Sequence, residues 1–522
     1  MSKFFLFLLL ALLVSACKST TPIPPPADTP SKMPAPTLAA TDTQNSTPTS
    51  TNPSPTITAI SHPALNTNGP YLAYLSSQGD QHEIVLMDAD GIGQKIIPYP
   101  ANATYLPYFL SNILSPDGHW LVYYTGSAAK CFGNGGVDTA DLTLNLLNLA
   151  DGKSQIVTRL LSHDYPNNFV QAAQQLNQAG ITADLLQNAF GCGIDESAWS
   201  PDGRYLAFSG QMDGLSSDVY LYDTISHAIK RLSSEPEEVE TISWSSDGQR
   251  IIEWSDFGVG EGMTHDVHIL ALDGRVVFKL FINRGSLDWL YGPVYSFWGR
   301  ENEAEPNQSG FVDITTGKVL KAWDQGFSFM AVSTDKQWLA GYFSGGKETN
   351  LLPGFYLINL STFKADRVAL SGAYEDIHPT LQAIGSGDQT FGFINATDNN
   401  LYFLSQDGKL TPTGINATIF SLSPDRQYLV AIGHKIHILK ADGTSIGDVD
   451  LPANLSSEWI RAVNWRPDSS GLFFTYWDSP PGTFNVPKQL YAMDLSTGRS
   501  ILVDPSSPAL NEKDFVWVAK PK

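Results

Sequence analysis

The sequence predicts an all-β protein, a single β-propeller of eight or nine four-stranded blades, and three observations predict it. A turn motif recurs, reading Ser115-Pro116-Asp117-Gly118, Trp199-Ser200-Pro201-Asp202-Gly203 and Trp244-Ser245-Ser246-Asp247-Gly248, with worn copies at Ser333-Thr334-Asp335, Ser423-Pro424-Asp425 and Trp465-Arg466-Pro467-Asp468. A second apolar run follows each copy and ends in an Asp-type turn, as in Val219-Tyr220-Leu221-Tyr222-Asp223 and Leu490-Tyr491-Ala492-Met493-Asp494-Leu495. Most copies lie about 37 to 53 residues apart, the period of a four-strand blade. One blade cannot bury both of its faces, whereas a closed ring of blades can, and it leaves few exposed edges.

Each element of the unit has a local cause. Pro presets φ in the turn, Asp bonds its own backbone, and Gly accepts positive φ. The residues after the turn are β-branched, aromatic or alternating apolar, as strands require. The unit is therefore strand, Ser-Pro-Asp-Gly turn, strand, loop, strand, Asp-Gly-type turn, strand. Nine candidate units centre near Leu72, Leu121, Leu206, Ile251, Tyr295, Leu339, Phe391, Leu429 and Phe473. Rings of four to eight blades are usual, so the count of nine and the prior of eight both stand at this stage. The fifth and seventh units lack the turn motif. The first lacks its opening strand, and Phe515-Val516-Trp517-Val518-Ala519 reads as that strand, so the ring is expected to close by pairing the two chain ends in one blade. The Trp-Ser-Pro-Asp-Gly strand starts and Leu-Tyr-x-Met-Asp-Leu third strands resemble the TolB-like branch of WD-type propeller repeats from residue 66 to 519. That resemblance implies a propeller that engages protein partners in the cell envelope.

The propeller, residues 61–522, has two segments before it. Lys3 precedes an eleven-residue apolar stretch, Phe4 to Val14, which ends in Ser15-Ala16-Cys17. This has the order of a secretory signal and is short of the roughly 20 residues that span a bilayer. The small-small-Cys ending resembles the lipobox of bacterial lipoproteins. That resemblance implies removal of residues 1–16, lipid on the Cys17 thiol and a membrane-anchored, exported protein on the periplasmic or outer cell surface. Residues 18 to 60 hold ten Pro, sixteen Ser or Thr, four charges and no aromatic residue. Such a composition cannot offset its ordering entropy. Residues 17–60 are thus expected to form a disordered stalk, roughly 40 Å long as a coil and up to about 130 Å fully extended.

The chain carries 53 acidic and 32 basic residues, a net charge of −21, which argues against nucleic acid or an anionic membrane face as partner. Membrane contact is expected only through the lipid on Cys17. A protein or glycan of the envelope is the expected partner, and a monomer the expected state.

In a four-stranded meander the first and third turns share one face. The longer irregular segments all fall on the opposite face, where function usually sits on a rigid scaffold. The largest, residues 163–193, reads as a short helical insertion with runs Phe169–Leu176 and Ala183–Phe190, expected to act as a lid or docking element. Loops 125–141, 255–266, 344–354 and 477–488 share that face. They carry the candidate ligand-binding residues Asp256, Glu261, His265, Asp266, Trp477 and Asp478, with Phe257 and Phe484, as an acidic and aromatic rim. Cys131 and Cys192 lie in two loops of the second blade on that face. An exported compartment favours a disulfide between them, with free thiols as the alternative.

Several chemistries find no signature. There is no Gly-x-Ser-x-Gly elbow, and no hydrolase domain is expected after residue 503. The turn lacks the Ser-x-Asp-x-Gly spacing of sialidase propellers. No Cys-x-x-Cys pair suggests zinc. His265/His268 and His434/His437 are spaced by three, which on a strand turns them to opposite sides. No metal, cofactor or catalytic residue is therefore assigned. A binding or scaffold role leads, and a propeller enzyme or glycan binder acting on extracellular polysaccharide or peptide is the alternative.

Overall fold

The computed structural model describes most of residues 64–518, leaving out 66–68, 79–80, 104–109, 127–141, 162–195, 214–216, 235–237, 257–263, 301–307, 324–325, 344–350, 369–380, 387–388, 396–397, 453–454, 457–458, 478–487 and 505–514. Cys17, the stalk, Cys131, Cys192 and the insertion 163–193 lie outside the described residues. Ser61–Lys522 form one compact unit. It is an all-β ring of nine blades, each an antiparallel meander.

Eight sheets make nine blades because one strand serves two of them. Val276–Tyr291 pairs through its first half with Thr264–Ala271, closing blade 4. Its second half pairs with Val294–Arg300, opening blade 5. Blade 5 needs no Ser-Pro-Asp-Gly turn because Tyr291 and Val294 face each other across Gly292-Pro293, with Gly292 at φ 49°. Blade 2 keeps three strands, Trp120–Thr125, Thr143–Asn148 and Ser154–Arg159. Among the described residues, two isolated antiparallel bridges, Ala103 to Thr125 and Leu114 to Leu121, stand in place of its inner strand, one before and one after the one-turn helix Leu110–Ile113. One helical turn puts Leu110, Ile113 and Leu114 on the same side, and all three are buried.

The chain ends meet as the sequence suggested. Phe515–Val518 is the inner strand of blade 1, pairing Phe515 with Tyr74 and Val518 with Tyr71. Apolar clusters then follow the ring without a break. One joins blades 1, 2 and 3, and others join blades 3 and 4, 4 and 5, 5 and 6, 6 and 7, 7 and 8, and 8 and 9. The last sets Leu72, Tyr74 and Phe515 of blade 1 against Phe473, Leu490 and Val503 of blade 9. The middle strands are nearly all buried, while outer strands such as Ile229–Arg231 are exposed.

The repeated motif has a physical role at every position. Its serine is buried and donates to the Asp two residues on, at 2.6 Å for Ser115, Ser200, Ser245, Ser333 and Ser423. The same hydroxyl accepts the backbone N–H five residues on, so one side chain ties both ends of the turn. The glycine sits at φ near 70° in Gly118, Gly203 and Gly248. The worn copies hold that conformation without glycine, at Lys336 (59°), Arg426 (60°) and Ser469 (61°).

The tryptophan of the motif stitches blades together. The indole N–H of Trp199 donates to the Ile113 carbonyl of blade 2, and that of Trp244 to the Ala198 carbonyl of blade 3. Trp465 donates to the Ser421 hydroxyl of blade 8, and Trp517 to the Asn464 side chain of blade 9. Each bond reaches from one inner strand to the preceding blade.

Candidate functional site

On the face of the first and third turns, the aspartates are spent on the turns. Arg204, with backbone N–H groups, holds Asp223 down at about 2. Asp202 and Asp494 are held below the usual carboxylate range, chiefly by the hydroxyls of Ser200 and Ser496. Such groups stabilise the ring above the ordinary carboxylate pKa and lose that contribution as pH falls through their lowered values.

On the opposite face, the expected rim is divided between distant blades. Asp256 ends the strand Arg250–Asp256 and is the cross-strand partner of His265 on Thr264–Ala271, so these two share the tip of one hairpin in blade 4. Asp266 follows, buried, with its carboxylate 2.7 Å from Lys279 Nζ. Trp477 ends the strand Gly471–Trp477 in blade 9, opposite Lys488. Three blades separate this from blade 4 one way and four the other. Glu261, Phe257, Asp478 and Phe484 lie outside the described residues. His437 pairs instead with Asp448 on the neighbouring outer strand, at 2.9 Å.

Beneath the blade 4 tip lies a polar cluster that the sequence reading missed. Two strands carry it inward, because Glu253 and His268 are cross-strand partners three positions from Asp256 and His265. Alternation along Arg250–Asp256 turns Ile251 and Glu253 toward blade 3 and Ile252 toward blade 5. Glu253 and His268 are each 1 % exposed. The Glu253 Oε2 to His268 Nδ1 distance is 3.8 Å. From blade 3, Ser233 Oγ donates to Glu253 Oε1 at 3.1 Å and accepts the Val219 N–H at 2.9 Å. A cavity of about 50 Å³ adjoins them, lined also by Leu232, Leu270 and Val276.

Next to it, Asp218 is fully buried with Arg231 Nη2 2.6 Å from its Oδ2. Burial pushes the Asp218 carboxyl up to about 7, against the pull of Arg231 and with a further push from Glu253. Tyr220 is raised likewise by burial, and its hydroxyl donates to Asp213.

Serine, histidine and a carboxylate invite comparison with a hydrolytic triad, but the order is wrong. A triad places histidine between the two, so that it can take the serine proton. Here Glu253 stands between Ser233 and His268, and the serine hydroxyl already donates to it. The arrangement can hold and exchange protons; it does not prepare a nucleophile. Among the described residues no group of three or more His, Cys, Asp or Glu side chains is placed to hold a metal ion.

No protein-family model matches the chain. A stretch of 65 residues is 35% identical to the uncharacterized peptidase YuxL of Bacillus subtilis, covering 12% of this chain and 10% of that protein. The chain thus matches a tenth of that relative's length. Among solved structures, that of a eukaryotic initiation factor superposes with a TM-score of 0.50 at 13% identity, over 87% of this chain and all of the other. The β-propeller domain of the trilobed protease from Pyrococcus furiosus gives 0.33 at 13% identity, over 75% and 97%. An acylaminoacyl peptidase of Pyrococcus horikoshii gives 0.31 at 11%, over 84% and 52%. At 13% identity the first likeness shows a shared fold and nothing of activity.

Proposed function

We propose that this chain is an exported, lipid-anchored propeller that binds a protein partner or ligand of the cell envelope through its loop-bearing face. The observation that carries the reading is the run ending in Cys17, followed by a Pro/Ser/Thr stretch in front of a closed ring. A signal, a lipid site, a spacer and a rigid scaffold are the parts of a tethered binding protein. The resemblance to TolB-like repeats supports a protein partner. On the opposite face, Ser200–Asp202 and its equivalents consume their polar groups in turn bonds, which leaves recognition to the longer loops.

A second reading is a propeller enzyme or glycan binder acting on extracellular peptide or polysaccharide. The 65-residue stretch that is 35% identical to an uncharacterized peptidase favours it. One experiment separates the two. Residues 60 onward, immobilised, are exposed to an envelope extract, a glycan array and a peptide library. Retention of a defined envelope protein without turnover of peptide or glycan supports the first reading. Cleavage of either polymer replaces it with the second.

A further inference from the structure

We propose that the seam between blades 3 and 4 is a proton-dependent joint, which takes up protons as it closes and loosens as its surroundings become alkaline. The seam is apolar along most of its length, with Val219, Leu221 and Leu232 packed against Ile251 and Leu270. Among the described residues, Glu253, His268, Asp218 and Arg231 come together there as an ionisable cluster.

The charge balance of that cluster carries the inference. From blade 3, the third strand contributes Asp218 and Tyr220, the outer strand Arg231, and the loop after the second strand Asp213. From blade 4 come Glu253 on the second strand and His268 on the third. Asp266 and Lys279 form an ion pair of their own further along. Among the described residues, three carboxylates therefore face one guanidinium. Asp213 is half-exposed and is served by solvent, whereas Asp218 and Glu253 are buried. Uncompensated buried charge is costly, and the usual escape is to bind a proton.

The geometry agrees. Neither oxygen of Asp218 receives a well-aligned hydrogen bond among the described residues, although Arg231 stands beside it. Glu253 Oε2 likewise receives none, and faces His268 across 3.8 Å. One proton on Asp218 leaves the Glu253 carboxylate balanced by the Arg231 guanidinium. The raised Asp218 value, about 7, points the same way. A carboxyl whose value is higher in the closed seam than in the open one favours closure fully below about pH 4. That contribution is lost as pH rises toward 7.

The joint belongs to the ring and stands whether or not the blade 4 rim binds anything. Hydrogen–deuterium exchange on the detergent-solubilised full chain tests it, with rates corrected for the intrinsic effect of pH. Protection across 229–233 and 250–256 should fall at least about tenfold more between pH 5 and pH 8 than protection in blades 6 to 8. Asp218→Asn should remove most of that difference. Should that variant fail to fold, Glu253→Gln keeps an acceptor for Ser233, removes one neighbouring negative charge, and should shrink the difference. Equal changes in the seam and in blades 6 to 8 would overturn the proposal. So would a full difference retained in whichever variant folds.

Discussion

Replacing Phe515 by Ala should cost the ring about 3–5 kcal/mol, the usual range for a buried phenylalanine truncated to its Cβ. The residue is 6 % exposed and belongs to the cluster that joins blade 1 to blade 9. Its ring lies 6.0 Å from that of Tyr74. Two companion variants divide the strand's contribution. Trp517→Phe keeps the apolar body but loses the indole bond to Asn464, 2.7 Å long, for about 1 kcal/mol. Deleting residues 514 to 522 removes Phe515, the fully buried Val518 and four cross-strand pairs with Tyr71–Tyr74. The combined loss, about 5–8 kcal/mol, is comparable with the whole stability of many domains. It also bares the edge of Tyr71–Gln78, and bare edges aggregate. Urea titration followed by tryptophan fluorescence measures the first two variants, and light scattering the third. A deletion variant that stays soluble with an unchanged melting temperature would refute closure by the C-terminal strand.

Four further outcomes follow from the same reasoning. Cys17→Ser should move the protein from the membrane to the soluble fraction on cell fractionation, and retention in the membrane would remove the anchor from the proposed function. Ser200→Ala leaves the Tyr205 N–H and Asp202 without their shared partner and should cost about 1–2 kcal/mol in urea unfolding; no change would mean that the turn holds without its serine. Arg426→Gly relieves a side chain held at φ 60° and should stabilise by up to about 1 kcal/mol, a destabilisation counting against that account. Deleting residues 165 to 190 should leave the ring folded by circular dichroism and weaken partner retention, whereas global unfolding would make the insertion part of the core.

The fold was legible because a propeller repeats its local chemistry. Ser, Pro, Asp and Gly each serve the turn by a short-range effect, so every copy announces a strand before it and another after it. Worn copies remained readable for the same reason. Asp335 and Asp425 keep the bond from the serine even where Lys336 and Arg426 stand in the glycine's place. What the pattern could not give was the number of blades, since blades 5 and 7 lack the motif. The apolar clusters decide it by continuing from blade to blade back to Phe515. The role of the motif tryptophans was also hidden, because their indole bonds reach a neighbouring blade some forty or more residues away.

The polar cluster was missed for a different reason. His265 and His268 stand three apart in the sequence, and a strand turns such residues to opposite sides. The relevant partner of His268 lies across the hairpin, at Glu253. Register is the signal that could have found it. If Asp256 and His265 face each other at the loop, antiparallel pairing brings Glu253 opposite His268 three positions further in. That step needs only the position of one turn. Ser233 and Asp218 need more, because they approach from the next blade, and contacts between blades follow from closure of the ring rather than from any spacing along the chain. A propeller therefore writes its scaffold in local sequence and its buried ionisable sites in the meeting of blades. The blade 3–4 seam is such a meeting, and among the described residues its carboxylates outnumber its permanent cations. Stability across that seam should follow the proton concentration outside the cell, where the proposed anchor would hold it.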